Sequence, residues 1–564
     1  LISLESGREF LYGYRPHEVG LTGLPKAKKS LKIGTSRISK TEYEATRTVL
    51  SGDLPLCFTG ATPPRPCPSH PPSLVGGVIK RFGYQPPKVN REMKRRLKRF
   101  TTLWCKRNLQ KLTDADIPTF EEWLDATPYS KTRKDELLRV WDNAGRVPNI
   151  KKFSNIKSFI KDETYPEYKF PRLINSRIDA AKCYFGPIVQ AISDRVFTHP
   201  MFIKKHPVAE RPMVLRDALF EEGAQYIFTD YTAFEAHFTA EVMEMIQFEL
   251  FKYMLSDTNQ KDWLSNYMKV MSGRNILQFK FVNVIIEACR MSGEMDTSLS
   301  NGFCNLILFL FLAHENGATN VAGFVEGDDG LFRVTPRSCA PTAKQFADLG
   351  FTIKIGVTEN LSEASFCGQV YDMTDLIVVT DPMEVLCRVG WTNKRYVNAN
   401  YSTRMQLLRA RGFSLVYQYN GCPMLCALGK RILELTSDVH IEDRIIRNMD
   451  FWEKERYLEA MRGLKNWAEK DIGSNTRDLV YKLYGIHPTK QIACEKSFSE
   501  LSLGKHSVPF LDLVPEVWKD YYNTYSLNYK AEDPTWLLKP EREYLEILKS
   551  YECCTRFVVS LRAG

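Results

Sequence analysis

Between Gly323 and Val334 the chain reads Gly-Phe-Val-Glu-Gly-Asp-Asp-Gly-Leu-Phe-Arg-Val, and no other stretch limits the fold so narrowly. Apolar residues on both sides of Gly327-Asp328-Asp329-Gly330 mark two strands joined by a tight turn, with the aspartates at its tip. Two adjacent carboxylates repel unless a cation lies between them. Glycine and aspartate also suit turns for purely conformational reasons, so the motif acquires meaning only from its surroundings.

A further carboxylate arrives from upstream. The residues Gln-Tyr-Ile-Phe-Thr at 225–229 read as a buried strand that ends in Asp230, the place where α/β folds hold their ligands. Thr239 suits the cap of a helix running through Glu241 to Leu255. Magnesium prefers hard oxygen ligands and keeps several waters, so two or three carboxylates plus substrate phosphates suffice for it. Two such ions about 4 Å apart activate an attacking 3′-hydroxyl and steady a departing pyrophosphate, which is the chemistry of nucleotidyl transfer.

Between these carboxylates lies Ser292-Gly293-Glu294-Met295-Asp296-Thr297-Ser298-Leu299-Ser300-Asn301, followed by a strongly apolar helix from Phe303 to Ala313. Gly293 permits a bent loop. Thr297, Asn301 and Asn305 fall on one helix face at i, i+4 and i+8. Capping accounts for Thr297 or Ser298 but not for the two asparagines. Polar residues on a buried helix need partners, and a nucleotide ribose is a fitting one.

Asp230-x4-Glu235, then Ser292-Gly293-x3-Thr297-x3-Asn301, then Gly327-Asp328-Asp329, in this order, resemble the palm of RNA-dependent RNA polymerases of positive-strand RNA viruses. The flavour is similar to the tombusvirus-, nodavirus- and carmotetravirus-like branches. The resemblance implies that Asp230, Asp328 and Asp329 are catalytic and metal-associated, with two Mg2+ ions for which Mn2+ substitutes. It implies that Ser292, Thr297 and Asn301 sense the incoming ribose and its base pair, joined by Glu235. Glutamate there departs from the family, which usually has aspartate; the charge is kept but the reach grows by a methylene. Upstream, Lys161 and Arg172 match the basic element that covers the triphosphate, with Lys169 and Arg177 as additions. The planar fork of arginine suits phosphate oxygens. Downstream, near residue 354, the family is proposed to use a lysine to protonate the departing pyrophosphate, and the resemblance makes Lys354 the candidate. Ser365-Phe366-Cys367-Gly368 is similar to the hairpin that grips the primer end, and Gly421 to Leu425 to a thumb segment.

The fold so implied is a mixed α/β (α+β) right hand with an antiparallel-sheet palm, fingers and a helical thumb. Its expected divisions are an N-terminal extension with a proline-rich connection over 1–87, fingers over 88–219 with 255–285, palm over 220–380, and thumb over 381–564. Substrates would be template RNA, nascent RNA and ribonucleoside triphosphates. Other viral replication proteins and host membranes are expected as partners through regions outside this chain, at membrane-associated sites in the host cytoplasm. A reverse transcriptase shares the palm and paired aspartates, but Gly327 and the Ser292-to-Asn301 pattern favour ribonucleotide selection. A non-catalytic basic RNA-binding scaffold would leave three ordered motifs as coincidence.

The rest of the chain is compatible with this and less informative. Lys and Arg number 77 against 67 Asp and Glu, a net +10 that suits a polyanion partner without requiring one. The 14 cysteines show no CxxC pair, which is the pattern of free thiols in a reducing compartment. Cys57, Cys67 and His70 come nearest to a zinc pattern but fall short of four spaced ligands. The longest apolar run, Leu306 to Ala313, is too short for a membrane span. The first residue is Leu1, so the chain is expected to be a piece of a longer polyprotein or readthrough product. Prolines crowd Leu54 to Pro87, which predicts a long surface-crossing connection without a helix or central strand. The basic segment from Arg91 to Arg107 reads either as a solvated helix face or as the lining of an RNA channel. Beyond about Glu384 helices are expected to dominate, most clearly over Phe451 to Glu469 and Ala531 to Tyr551.

Overall fold

The computed structural model describes residues 30–35, 38–39, 52–66, 71–167, 169–392, 396, 398–449, 451–466, 468–524, 554–556 and 561–562. It is a mixed α/β architecture whose two largest sheets have six and four strands, the four-stranded one carrying the aspartates. The expected hairpin forms: strands Asn320–Glu326 and Asp329–Thr335 pair antiparallel, with Glu326 opposite Asp329, so Gly327 and Asp328 alone make the turn. Gly327 adopts a φ of +59°, a left-handed value that glycine reaches without a side-chain penalty. The strand Tyr226–Tyr231 lies beside this hairpin, and Ile353–Thr358 completes a four-stranded antiparallel sheet.

The helix Thr297–Glu315 covers this sheet. It is apolar nearly all round, and such a helix has to be buried. By length and hydropathy it would suffice for a bilayer span, yet 78% of its apolar window is buried inside the protein. Phe309 stacks on Phe332 of the hairpin at 3.7 Å between ring centroids. Gly323, paired with Phe332 across the hairpin, leaves room for that ring, which a Cβ would strike.

A six-stranded sheet gathers residues from distant parts of the chain. Its strands run in the order Cys554–Arg556, Lys32–Thr35, Val282–Glu287, Arg274–Gln278, Asn155–Ile160 and Leu173–Arg177. The C-terminal part is mostly helical, with Tyr401–Gln418 packed against Leu425–Leu435. Over Phe451 to Glu469 the helix ends at Gly463 and a 3-10 turn, Leu464–Asn466, follows. The segment Ala531 to Tyr551 lies outside the described residues, as do Cys67 and His70.

The reading of Leu54 to Pro87 as a surface-crossing connection that cannot form a helix is corrected. Leu56–Thr59 is a strand paired in parallel with Gly504–Ser507, and Pro71–Phe82 is an α-helix. Pro71 and Pro72 occupy the first helical turn, where the missing N–H groups would have no intrahelical partner anyway. Beyond them Leu74, Val75, Val78, Ile79 and Phe82 form a helical stripe, and all five are buried. The expected helix from Glu241 to Leu255 is also two helices, Ala240–Met245 and Gln247–Met254, broken at Ile246. Thr239 caps the first as expected, its hydroxyl accepting from Val242 N.

The basic helix Arg91–Asn108 uses part of its charge internally. Lys94 pairs with Glu241 and Lys98 with Glu244, each at 3.0 Å, while Arg96 pairs with Glu315. These contacts dock it on the helices just named. Arg91, Arg95 and Arg99 stay exposed on another face.

Candidate active site

Asp230 sits one residue before the end of its strand, exposed, directly opposite Lys354 on the neighbouring strand. Paired residues in an antiparallel sheet project to the same face, so Lys354 flanks Asp230. On the other side, strand Asp329–Thr335 runs antiparallel to it from the aspartate turn. The three aspartates are thereby brought together from two sequence regions.

Their electrostatics register that proximity. Burial pushes the Asp329 carboxyl up to about 7, and Asp328, Asp230 and Glu326 push it the same way. Asp328 is raised by burial and then by Glu235, against the opposing pull of Arg172 and Arg81. Partly buried carboxylates that raise one another favour either a proton or a cation in their midst. The donor set, all hard carboxylate oxygen, fits a divalent cation of the magnesium type. Among the described residues no three His, Cys, Asp or Glu side chains are already gathered as cation ligands.

The turn itself is held from below by Asn305. Its Nδ2 donates to Gly327 O at 3.3 Å and to Asp329 O at 2.9 Å, while Tyr231 Oη donates to its Oδ1 at 3.2 Å. This fully buried amide thus ties the helix, the turn and the Asp230 strand into one unit. The expectation that a ribose would satisfy Asn305 is corrected: three protein groups already do so.

Glu235 lies in the 3-10 turn Phe234–His237, entered through Ala233 at a left-handed φ of +48°. That turn is firmly fastened. Glu235 O accepts from Arg290 N at 3.2 Å and from the Cys289 thiol at 3.1 Å, and His237 Nε2 accepts from Thr352 N at 3.0 Å. The Glu235 carboxylate accepts from Ser292 Oγ at 3.3 Å through Oε1, and Oε2 faces Arg81 Nη1 at 3.6 Å. Glu235 and Ser292, predicted from separate motifs, therefore meet.

Thr297 closes the loop before its helix: Oγ1 donates to Met291 O at 3.1 Å and accepts from Gly293 N at 3.3 Å. Asn301 Oδ1 accepts from Arg290 Nε at 3.2 Å. Lys161 Nζ pairs with Glu163 at 2.8 Å, and Arg172 Nε approaches the same carboxylate at 3.6 Å. Arg172 also feels Asp328 and Glu235, so its charge reaches the aspartates. Lys169 lies over the Tyr165 ring at 4.5 Å. Arg177 does not belong with these cations. Only 3% exposed, it pairs with Glu294 at 2.5 Å and donates to Phe153 O and Asn275 Oδ1. It anchors the Ser292 loop from inside rather than facing a phosphate.

Arg290, Asp296 and Gln247 carry the site without having been singled out. Arg290 is fully buried, pairs with Asp296 at 3.0 Å, hydrogen-bonds Gln247 Oε1, and packs over the Phe238 ring at 4.4 Å. Asp296 Oδ2 also accepts from Tyr267 Oη at 2.6 Å and Ser300 Oγ at 2.8 Å. The one available signal was a pair of opposite charges bracketing Met291 to Met295. Arg81 was missed with its helix.

Residues 179–420 match the protein family described as viral RNA-dependent RNA polymerase. The chain is also similar to the RNA-directed RNA polymerase of Melon necrotic spot virus, 20% identical over 392 residues, which cover 67% of this chain and 47% of that protein. The chain thus spans about half the length of the curated relative it matches.

Proposed function

We propose that this chain, similar over residues 179–420 to viral RNA-dependent RNA polymerases, is a catalytic core that synthesises RNA on an RNA template. The observation that carries the reading is the aspartate turn fixed by Asn305 beside Asp230, with Asp329 raised to about 7 by burial and its acidic neighbours. The four-stranded sheet would be the palm of a right hand, with fingers formed largely before Phe220 and a thumb after about residue 381.

Two magnesium ions held by Asp230, Asp328 and Asp329 would supply activation of the 3′-hydroxyl and neutralise charge on the departing pyrophosphate. The chain's own residues position the reactants. Arg172 and Lys161 neutralise the triphosphate, and Arg172 already lies within electrostatic reach of Asp328. Glu235, Ser292, Thr297 and Asn301 would read the ribose; the first two are hydrogen-bonded, and the last two are fixed by the loop and by Arg290. Lys354, exposed beside Asp230, would deliver a proton to pyrophosphate. Template binding would rest on backbone charge and base stacking, and so weaken with salt. Work at host membranes with other viral proteins belongs to the same proposal and rests on family resemblance alone.

The test is incorporation of labelled ribonucleotides on an RNA template with magnesium and with EDTA, for wild type and Asp329→Asn. Metal-dependent synthesis lost in the variant, with RNA binding retained, is the expected result. A folded, RNA-binding wild type that makes no RNA even from a preformed primer would overturn the reading.

A further inference from the structure

The helix Pro71–Phe82 lies well before the family-matching region, yet it reaches the centre of the site. It packs against the 3-10 turn that carries Glu235 and against strand Leu173–Arg177. Gly77 is so close to the Arg172 element that an added Cβ would stand 2.9 Å from Pro171 O. With five apolar residues buried, the helix is rigidly seated, and its penultimate residue, Arg81, is delivered to a fixed place.

We propose that Arg81 is a positioning residue for ribose selection, holding the Glu235 carboxylate where it can receive the 2′-hydroxyl of the incoming nucleotide. The inference rests on the ribose role given to Glu235 above. Arg81 Nη1 lies 3.6 Å from Glu235 Oε2, with the two side chains only 20% and 13% exposed. At that separation the pair is electrostatic rather than hydrogen-bonded. Arg81 Nε and Glu235 Oε2 are both buried and have no hydrogen-bond partner among the described residues. Glu235 Oε1, by contrast, is taken by Ser292.

This arrangement has a physical reason. A glutamate arm has one more rotatable bond than aspartate, so a single hydrogen bond leaves its second oxygen free to wander. A guanidinium opposite that oxygen restricts the arm. Because the contact is long, the acceptor capacity of Oε2 remains unused and a small shift makes it available to a hydroxyl donor.

Steady-state incorporation of ATP and 2′-deoxyATP by the full chain tests the idea in wild type, Arg81→Met, Arg81→Lys, Glu235→Ala and the double variant. Arg81→Met is expected to lower ribonucleotide preference about tenfold, the size of one lost charge-assisted contact, with the loss confined to the ribonucleotide KM. Arg81→Lys should recover part of the preference, and Arg81→Met should add nothing to Glu235→Ala. Equal losses for both nucleotides, or losses that multiply in the double variant, would overturn the proposal and make Arg81 a triphosphate ligand or a structural residue. Unchanged preference in Glu235→Ala would instead remove the ribose role of Glu235 and this inference with it. Should Arg81→Met fail to fold, Arg81→Gln carries the same comparison.

Discussion

At the scale of single residues, Asp329 carries the clearest thermodynamic consequence. Burial and the neighbouring Asp328 and Asp230 hold its carboxyl at about 7 in the metal-free protein. Its ordinary value is 3.8, so the folded chain binds this proton more tightly than the unfolded one. Between those two values the folded state therefore carries more protons, and metal-free stability from this group falls as pH rises. A bound divalent cation reverses the balance by stabilising the carboxylate form. The rise in melting temperature on adding magnesium should accordingly be larger at pH 8 than at pH 5.5, as read by calorimetry. An equal rise at both values would show that Asp329 is not the titrating ligand. The aspartates, Glu235 and Ser292 stood out in the sequence by residue type and spacing, and the fold brings Glu235 to Ser292 and the Asp230 strand to the aspartate turn. Arg290 did not stand out, because a buried arginine and a solvated one look alike until their neighbours are known.

At the scale of elements, the site depends on how a helix grips a hairpin. The turn at Gly327 and Asp328 has little of its own to hold its two strand-end carbonyls in place, and Asn305 supplies two donors to them. Replacing Asn305 by Ala removes its two hydrogen bonds to those carbonyls and the one it accepts from Tyr231 Oη. At about 1 kcal/mol for each lost hydrogen bond, the change should cost about 2–3 kcal/mol of stability. Denaturant melts would measure that loss. RNA synthesis should fall further than stability explains, since the aspartates lose their register, while RNA binding by filter retention should hold. The hairpin and the Asp230 strand were readable because short apolar runs bounded by turn residues report buried strands. The helix Pro71–Phe82 was hidden by its prolines, although the apolar stripe from Leu74 to Phe82 was present. Proline breaks a helix interior but not its first turn, and only the exact start of the helix tells these apart.

At the scale of the whole molecule, Arg290 and Asp296 join the Glu235 turn, the Ser292 loop, the helix Thr297–Glu315 and the helices over 247–271. A buried ion pair of this kind is weak evidence for stability as a pair, but breaking one side is costly. Arg290→Met leaves the buried Asp296 carboxylate without the guanidinium paired with it and should destabilise the fold by about 3–5 kcal/mol. The double change Arg290→Met with Asp296→Leu should recover part of that loss in the same unfolding measurement. If the single variant unfolds like wild type, the network is not what holds these elements together.

The sequence by itself determined the local arrangement: which carboxylates share a hairpin and a strand end, which polar residues line one helix face, and which loop must bend. These follow from periodicity and residue type, which are local properties. Tertiary structure decided the assignments that depend on distant partners. It gave Asn305 to the aspartate turn instead of a ribose, took Arg177 into the interior with Glu294, and paired half-hidden Arg81 with Glu235. Polar side chains take the partner that burial leaves within reach, and which partner that is depends on how segments far apart in the chain are packed together.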